Sequence, residues 1–431
     1  MNDIRALIDS RPISGLQYTV IALCFLMNIL DGMDVLVISY AAQALATEWA
    51  ISPETLGIVF SAGLFGMTAG ALLLAPVADY LGRRTLILVC LVIMSAGVLL
   101  TAHAQNITQL MVLRFVSGLG IGAMLASAAT MTAEYAPDRR KNFLVSAVLA
   151  GYPVGATLSG VVAASVIPEF GWRTMFTVAG LATALAFPLV YFLLPESLNF
   201  LVKVRRTNAL EKINSILRSM GSAEFSVLPP TAAPAAHSKV SSLFATGKSA
   251  PTLWLWLAFF MSFATLYFLL SWIPLLAANT GLSQSLAIYA GAVFNLGAFF
   301  GILLQGYSSE LLGLRRAIGV FLVASAGLMT VFGYVSGSAA VLVLFGLIGF
   351  ALQGGFTGLY SIAARLYPTE VRTMGVGWAI GVGRTGAIAG PAVGGLLIGM
   401  GLSMSTNFIV FAVPVVVAAI ATGLIRSAQI D

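Results

Sequence analysis

Asp31 and Asp34, one helical turn apart in the otherwise apolar run Asp31-Gly32-Met33-Asp34, are the residues of this chain best suited to carry a proton. At i and i+3 they share a helix face. Burial and mutual repulsion favour a proton on at least one of them near neutrality. Two guanidiniums lie in similarly apolar surroundings. Arg114 opens the run Arg114-Phe115-Val116-Ser117-Gly118-Leu119-Gly120-Ile121-Gly122, and Arg384 sits within Gly377-Trp378-Ala379-Ile380-Gly381-Val382-Gly383-Arg384-Thr385-Gly386. A charge inside a membrane helix is costly and marks a functional position by default. By helical rise, Asp31 lies about 21 Å from the inner end of its helix and Arg114 about 10 Å from the outer end of its own. Both then sit in the outer half of a membrane, and Arg114 is the expected neighbour of the Asp31/Asp34 pair, exchanged against a proton. A static ion pair is the competing reading.

Arg384 lies about ten residues in from the cytoplasmic end of its helix, near the midplane. No acid within the membrane in the second half of the chain faces it. Its planar fork fits a carboxylate bidentately, so an anionic substrate is expected there. The alternative is a pair with a first-half acid across a cavity. Tyr267, Trp272, Phe294, Asn295, Gln353 and Tyr360 supply the aromatic and amide groups of a pocket around it.

The elements that hold these residues follow from composition. The chain of 431 residues is 59% hydrophobic and 9% charged, with mean hydropathy +0.97. A soluble fold cannot hide so much apolar surface, and a helix of about 20 residues spans a bilayer. Apolar spans read at about 17–40, 53–78, 85–103, 107–135, 143–166 and 173–194, then 252–279, 284–308, 317–335, 339–366, 374–399 and 405–426. The expected architecture is all-α: an N-terminal six-helix bundle over 1–194, a cytoplasmic linker over 195–251 and a C-terminal six-helix bundle over 252–431. The first part of the linker reads as an amphipathic surface helix, and Pro229 to Ser242 as flexible.

With the N-terminus inside, all of the 22 Lys and Arg except Arg173, Arg114 and Arg384 fall on the cytoplasmic side. That asymmetry places both termini in the cytoplasm and accounts for the net charge of +6 without a nucleic acid, and on the assumption of a bacterial source the expected location is the inner membrane. Cys24 and Cys90 fall in apolar runs and read as packing residues. His103 and His237 are too far apart for a metal cluster, and no removable signal peptide is read at the N-terminus.

The halves repeat each other. One shift lays Asp79 on Glu310, Arg84 on Arg315, Pro137 on Pro368 and Gly118 on Gly349. Parallel repeats of this kind place a substrate site between the halves, near the midplane. Acid, proline and base cluster at Glu134-Tyr135-Ala136-Pro137-Asp138-Arg139-Arg140 and again at Arg365-Leu366-Tyr367-Pro368-Thr369-Glu370-Val371-Arg372. Glu134, Arg139, Glu370 and Arg372 are expected as gate salt bridges, with plain topology charge as the other reading.

The hairpin Ala75-Pro76-Val77-Ala78-Asp79-Tyr80-Leu81-Gly82-Arg83-Arg84 resembles the loop signature of the major facilitator superfamily. Ala75 and Tyr80 depart from that pattern, while Asp79, Gly82, Arg83 and Arg84 keep it. The run at Arg114 is similar to the same family's fourth-span pattern. The resemblance covers essentially the whole chain. It implies that Asp79, Arg83 and Arg84, with Glu310 and Arg315 in the repeat, hold gating contacts of the outward-open state. Asp31-Gly32-Met33-Asp34, Pro195-Glu196-Ser197, Trp272-Ile273-Pro274, and Gly383-Arg384 followed by Gly390-Pro391 together resemble the aromatic acid:proton symporter family.

That second resemblance implies uptake of benzoate-like or hydroxybenzoate-like anions, or of ring-cleavage products, with essential roles for Asp31, Asp34, Arg114 and Arg384. The expected partners are a small organic anion, protons and the lipid bilayer, with no cofactor beyond the coupling proton, no metal, no nucleic acid and a monomeric state. A drug/proton antiporter on the same fold is the alternative, but Gly151-Tyr152-Pro153-Val154-Gly155-Ala156-Thr157-Leu158-Ser159-Gly160 matches its fifth-span signature poorly. No nucleophile–base pair or phosphate-binding loop argues for an enzyme.

Overall fold

A computed structural model describes residues 2–9, 12–205, 208–229, 240–244, 249–367 and 371–425. Long apolar helices dominate it. Among the described residues, ten segments are long and apolar enough to cross a membrane. One of them, Asp138–Leu193, holds two spans, because Gly171 breaks the helix at φ 80°. That left-handed conformation costs a residue with a Cβ and suits glycine. The glycine-rich helix Arg372–Gly399 completes the set of twelve.

The spans in order are Gly15–Glu48, Pro53–Leu81, Arg83–Thr101, Ile107–Tyr135, 138–170 and 172–193 in the first half. The second half runs Ser249–Ala278, Gln284–Leu312, Leu314–Tyr334, Ser338–Leu366, Arg372–Gly399 and Met404–Leu424. Their ends carry the expected stop signals. Ser14 and Gln17 form a capping box at the start of the first span. Ser52, Asn106, Ser283 and Ser403 each accept from a backbone amide of the first turn that follows.

The first span runs from Gly15 to Glu48, beyond the sequence reading of 17–40. Ala41 to Glu48 is mildly polar, yet it packs on neighbouring helices and keeps the helical ladder where hydropathy alone fades. The extension moves Asp31 to the middle of its helix. The inner end shifts only from residue 17 to Gly15, so the distance of Asp31 from that end, on which its placement in the outer half rests, is kept. Between the halves, the linker forms two short helices, Leu198–Val204 and Ala209–Ser219. Most of the segment Pro229 to Ser242 lies outside the described residues.

The halves meet on the outer side. Ser39 donates to the carbonyls of Leu270 (2.7 Å) and Ser271 (2.8 Å), Ser61 to that of Ile388 (2.7 Å), and Ser285 to that of Ala164 (2.9 Å). Further inward, a methyl group placed on Gly377 or Gly381 would touch nothing within 4 Å. Both lie on the helix face of Arg384 and Ile388, one and two turns nearer the cytoplasm. The contacts between the halves thus gather on the outer side, and the eleventh span has free space around Gly377 and Gly381.

Candidate substrate and proton site

Four buried or half-buried charges define the centre, and they sort into two pairs. In the first half, Asp34 is 1% exposed and Arg114 4% exposed. Thr183 donates to Asp34 Oδ2 at 3.2 Å. Arg114 Nη2 donates to Thr101 at 2.8 Å, and its guanidinium lies 5.0 Å from the Phe176 ring centre. Arg114 is the cation that acts on Asp34. Both line a cavity of about 40 Å³ with Ser39, Tyr267 and Ser271. That is room for water, not for an aromatic acid.

The second pair bridges the halves. Asp31 is 1% exposed, and neither of its carboxylate oxygens has a hydrogen-bond partner. Its countercharge is Arg384, from the opposite half. The structure therefore splits the Asp31/Asp34 pair: the field of Arg114 falls on Asp34, and that of Arg384 falls on Asp31. Arg384 is half-buried and also acts on Tyr152, Tyr267 and Tyr360. Close helix packing sets these positions. A Cβ on Gly32 would lie 2.1 Å from the Tyr152 carbonyl, so glycine is needed where the first and fifth spans touch.

An aromatic wall flanks Arg384. Phe259, Phe263 and Tyr267 stack along one face of the seventh span, with centroids about 6 Å apart. Phe356 of the tenth span meets Phe263 edge-on at 4.7 Å, and Tyr360 meets Phe259 edge-on at 5.1 Å. A Cβ on Gly383 would lie 2.4 Å from the Phe263 ring, which sets the wall against the residue preceding Arg384. Phe259, Phe263, Phe356 and Tyr152 were not among the sequence-predicted site residues. Their signal was aromatic spacing of four at 259, 263 and 267 and again at 356 and 360.

Other predicted pocket residues lie elsewhere. Trp272 joins the outer closure: its indole donates to the Pro391 carbonyl at 3.0 Å and meets Phe60 edge-on at 5.2 Å. Its position one turn beyond Tyr267 carries it past the midplane. Phe294 is fully buried, with its backbone against Gly349. Asn295 donates to the Gly291 carbonyl at 2.9 Å and leaves its own oxygen unpartnered. Gln353 is buried, at 6% exposed.

At the cytoplasmic face, the first-half charges pair with one another and with the start of the linker. Arg83 meets Glu134 at 2.8 Å and donates to Ser197 at 2.7 Å. The Arg84 amide donates to Glu196, and its guanidinium to the Tyr191 carbonyl. Lys203 meets Asp79 at 3.1 Å. Glu134 thus takes Arg83 rather than Arg139, which is exposed. In the second half, Glu310 is exposed, Arg315 donates to the Ile425 carbonyl, and Arg372 to that of Tyr367. Glu370 lies outside the described residues.

A polytopic bundle with a central charged site between two repeats is the design of a carrier that works by alternating access. The sequence matches the profile of the Major Facilitator Superfamily over residues 24–304 and 255–428, and the chain belongs to that family. It is a multi-pass membrane transporter. It is 35% identical to the 4-hydroxybenzoate transporter PcaK of Pseudomonas putida, over 97% of this chain and 94% of that protein. Against the Pseudomonas putida gallate transporter the identity is 33%, over 97% and 94%. Against the benzoate transport protein of Acinetobacter baylyi it is 29%, over 98% and 92%. The fold is similar to that of a D-xylose–proton symporter, with TM-score 0.75 at 18% identity over 96% and 98% of the two chains.

Proposed function

We propose that this chain is a proton-coupled importer of an aromatic carboxylate, held in the inner membrane as a monomer with both termini in the cytoplasm. The observation that carries the reading is Arg384, a midplane guanidinium set beside an aromatic wall and acting on a carboxylate with no hydrogen-bond partner. The names of the relatives support the substrate class. In this reading, the substrate carboxylate takes the guanidinium fork bidentately, and its ring lies against Phe263, Phe356 and Tyr267.

Coupling follows from a shared partner. Asp31 and the substrate carboxylate compete for one arginine. When substrate takes Arg384, a charged Asp31 is left buried without a countercharge, which is expensive. A proton on Asp31 removes that cost. Substrate and proton therefore bind best together, and the neutralised centre crosses between states. Asp34 with Arg114 lies about one turn further out and offers a waiting place for the proton on its way in. The cytoplasmic clusters at Arg83/Glu134 and Asp79/Lys203 exchange partners when the inner side closes.

The test is uptake of radiolabelled benzoate and 4-hydroxybenzoate into proteoliposomes with an imposed inward proton gradient. Accumulation that collapses when the gradient is dissipated supports the importer. Uptake indifferent to the gradient, or gradient-driven expulsion, contradicts it and favours the efflux alternative.

A further inference from the structure

The site holds more polar groups than a carboxylate and a proton require. Within reach of the Arg384 charge, three buried oxygens lack a hydrogen bond of good geometry: both of Asp31 and the Tyr152 hydroxyl, whose nearest polar group is the Tyr267 phenol. They belong to one patch, because Tyr152 is pressed against the first span at Gly32, next to Asp31. Both belong to the first half, while Arg384 and the aromatic wall belong to the second. Phe259, Phe263 and Phe356 offer a ring no hydrogen bond, and the Tyr267 phenol of the same wall is already turned to Tyr152. Protonating Asp31 satisfies at most part of the deficit, since Tyr152 then has only the Tyr267 phenol to turn to.

Buried polar groups without partners are costly and rare. A ligand that supplies the missing partner gains, and one that leaves the groups empty is rejected. We propose that Tyr152 is a specificity-determining residue that, together with Asp31, reads a ring hydroxyl on the substrate. The inference rests on the aromatic-carboxylate reading above. The carboxylate is held by the second half, and the hydroxyl is held by the first. The hydroxyl donates to Asp31 and accepts from Tyr152. A hydroxylated aromatic acid is then gripped by both halves at once, whereas an unsubstituted one is gripped by the second half alone.

The test is equilibrium binding of benzoate, 3-hydroxybenzoate, 4-hydroxybenzoate and 4-methoxybenzoate to the intact protein in nanodiscs, beside Tyr152→Phe. The intact protein should bind one hydroxybenzoate about tenfold or more tighter than benzoate. The methoxy compound, which accepts but does not donate, should lose most of that gain. In Tyr152→Phe the hydroxybenzoate-to-benzoate ratio should fall several-fold, a readout that a general loss of folded protein does not move. Equal affinities in the intact protein overturn the inference, and so does an unchanged ratio in the variant. The intact-protein series decides the matter even if Tyr152→Phe does not fold. Failure of every compound to bind overturns the carrier reading itself.

Discussion

The two buried charge pairs make the same ions do different work. Asp34 and Arg114 lie within one half, and each has a neutral partner as well: Thr183 for the acid, Thr101 for the base. Asp31 and Arg384 lie on opposite halves, and Asp31 has no hydrogen-bond partner. A pair inside one rigid bundle keeps its surroundings as the bundles rock. A pair across the bundles does not, because the rocking motion changes the gap between its members. Partly satisfied groups inside a bundle, where of the Asp34–Arg114 pair only Arg114 Nε goes without a partner, favour holding that bundle together, and wholly unsatisfied groups between bundles favour ligand binding. The contrast separates a structural and proton-holding pair from a substrate-coupled one.

The largest expected effect comes from removing the shared partner. Arg384→Ala should abolish saturable uptake, with a loss of about a hundredfold or more in affinity, because a buried charge contact is worth 2–5 kcal/mol or more. Arg384→Lys keeps the charge and loses the fork, so it should recover only part of the binding. Titration calorimetry on both variants measures this. Affinity retained by Arg384→Ala would make Asp31–Arg384 an ordinary ion pair.

Next in size is the split between the two acids. Asp31→Asn mimics the protonated carboxyl, so it should still exchange external for internal substrate while losing gradient-driven accumulation. Counterflow and accumulation assays on the same vesicles separate the two. Arg114→Met should act through stability as well, since it strands Asp34 in an apolar bundle. Breaking one partner of a buried pair costs about 3–5 kcal/mol. The apparent melting temperature should drop, and the double variant Arg114→Met with Asp34→Asn should regain part of it. A fully stable Arg114→Met would erase the distinction between the pairs. A smaller effect is expected of the wall. Phe263→Ala should weaken binding about five- to fiftyfold, given the area and edge contacts an aromatic supplies, with gradient coupling preserved.

Much of the contrast was legible before any coordinates. The charges stood out because ions in apolar runs are rare, and Arg114, Arg384, Asp31 and Asp34 needed only composition to find. Which base serves which acid was not legible. Depth was counted along single helices, and that put Asp31 beside Arg114, whereas the base acting on it is Arg384 from the other half. Trp272 was misplaced for a related reason: one turn beyond Tyr267 carries it from the cavity into the outer closure. The aromatic wall was missed because Phe is common in lipid-facing positions, and only the spacing of four distinguishes Phe259 and Phe263. Arg83 choosing Glu134 over an exposed Arg139 depends on how Ser197 and Glu196 fold back, which spacing does not encode.

The central claim is that substrate and Asp31 share Arg384, so that proton and substrate binding are linked. The measurement that tests it most directly is the affinity for 4-hydroxybenzoate between about pH 6 and about pH 9, in the intact protein and in Asp31→Asn. Linkage predicts that affinity in the intact protein falls by up to about tenfold per pH unit once Asp31 loses its proton, and that the Asp31→Asn profile is flat. Equal slopes in both proteins, or no slope in the intact one, would contradict the account.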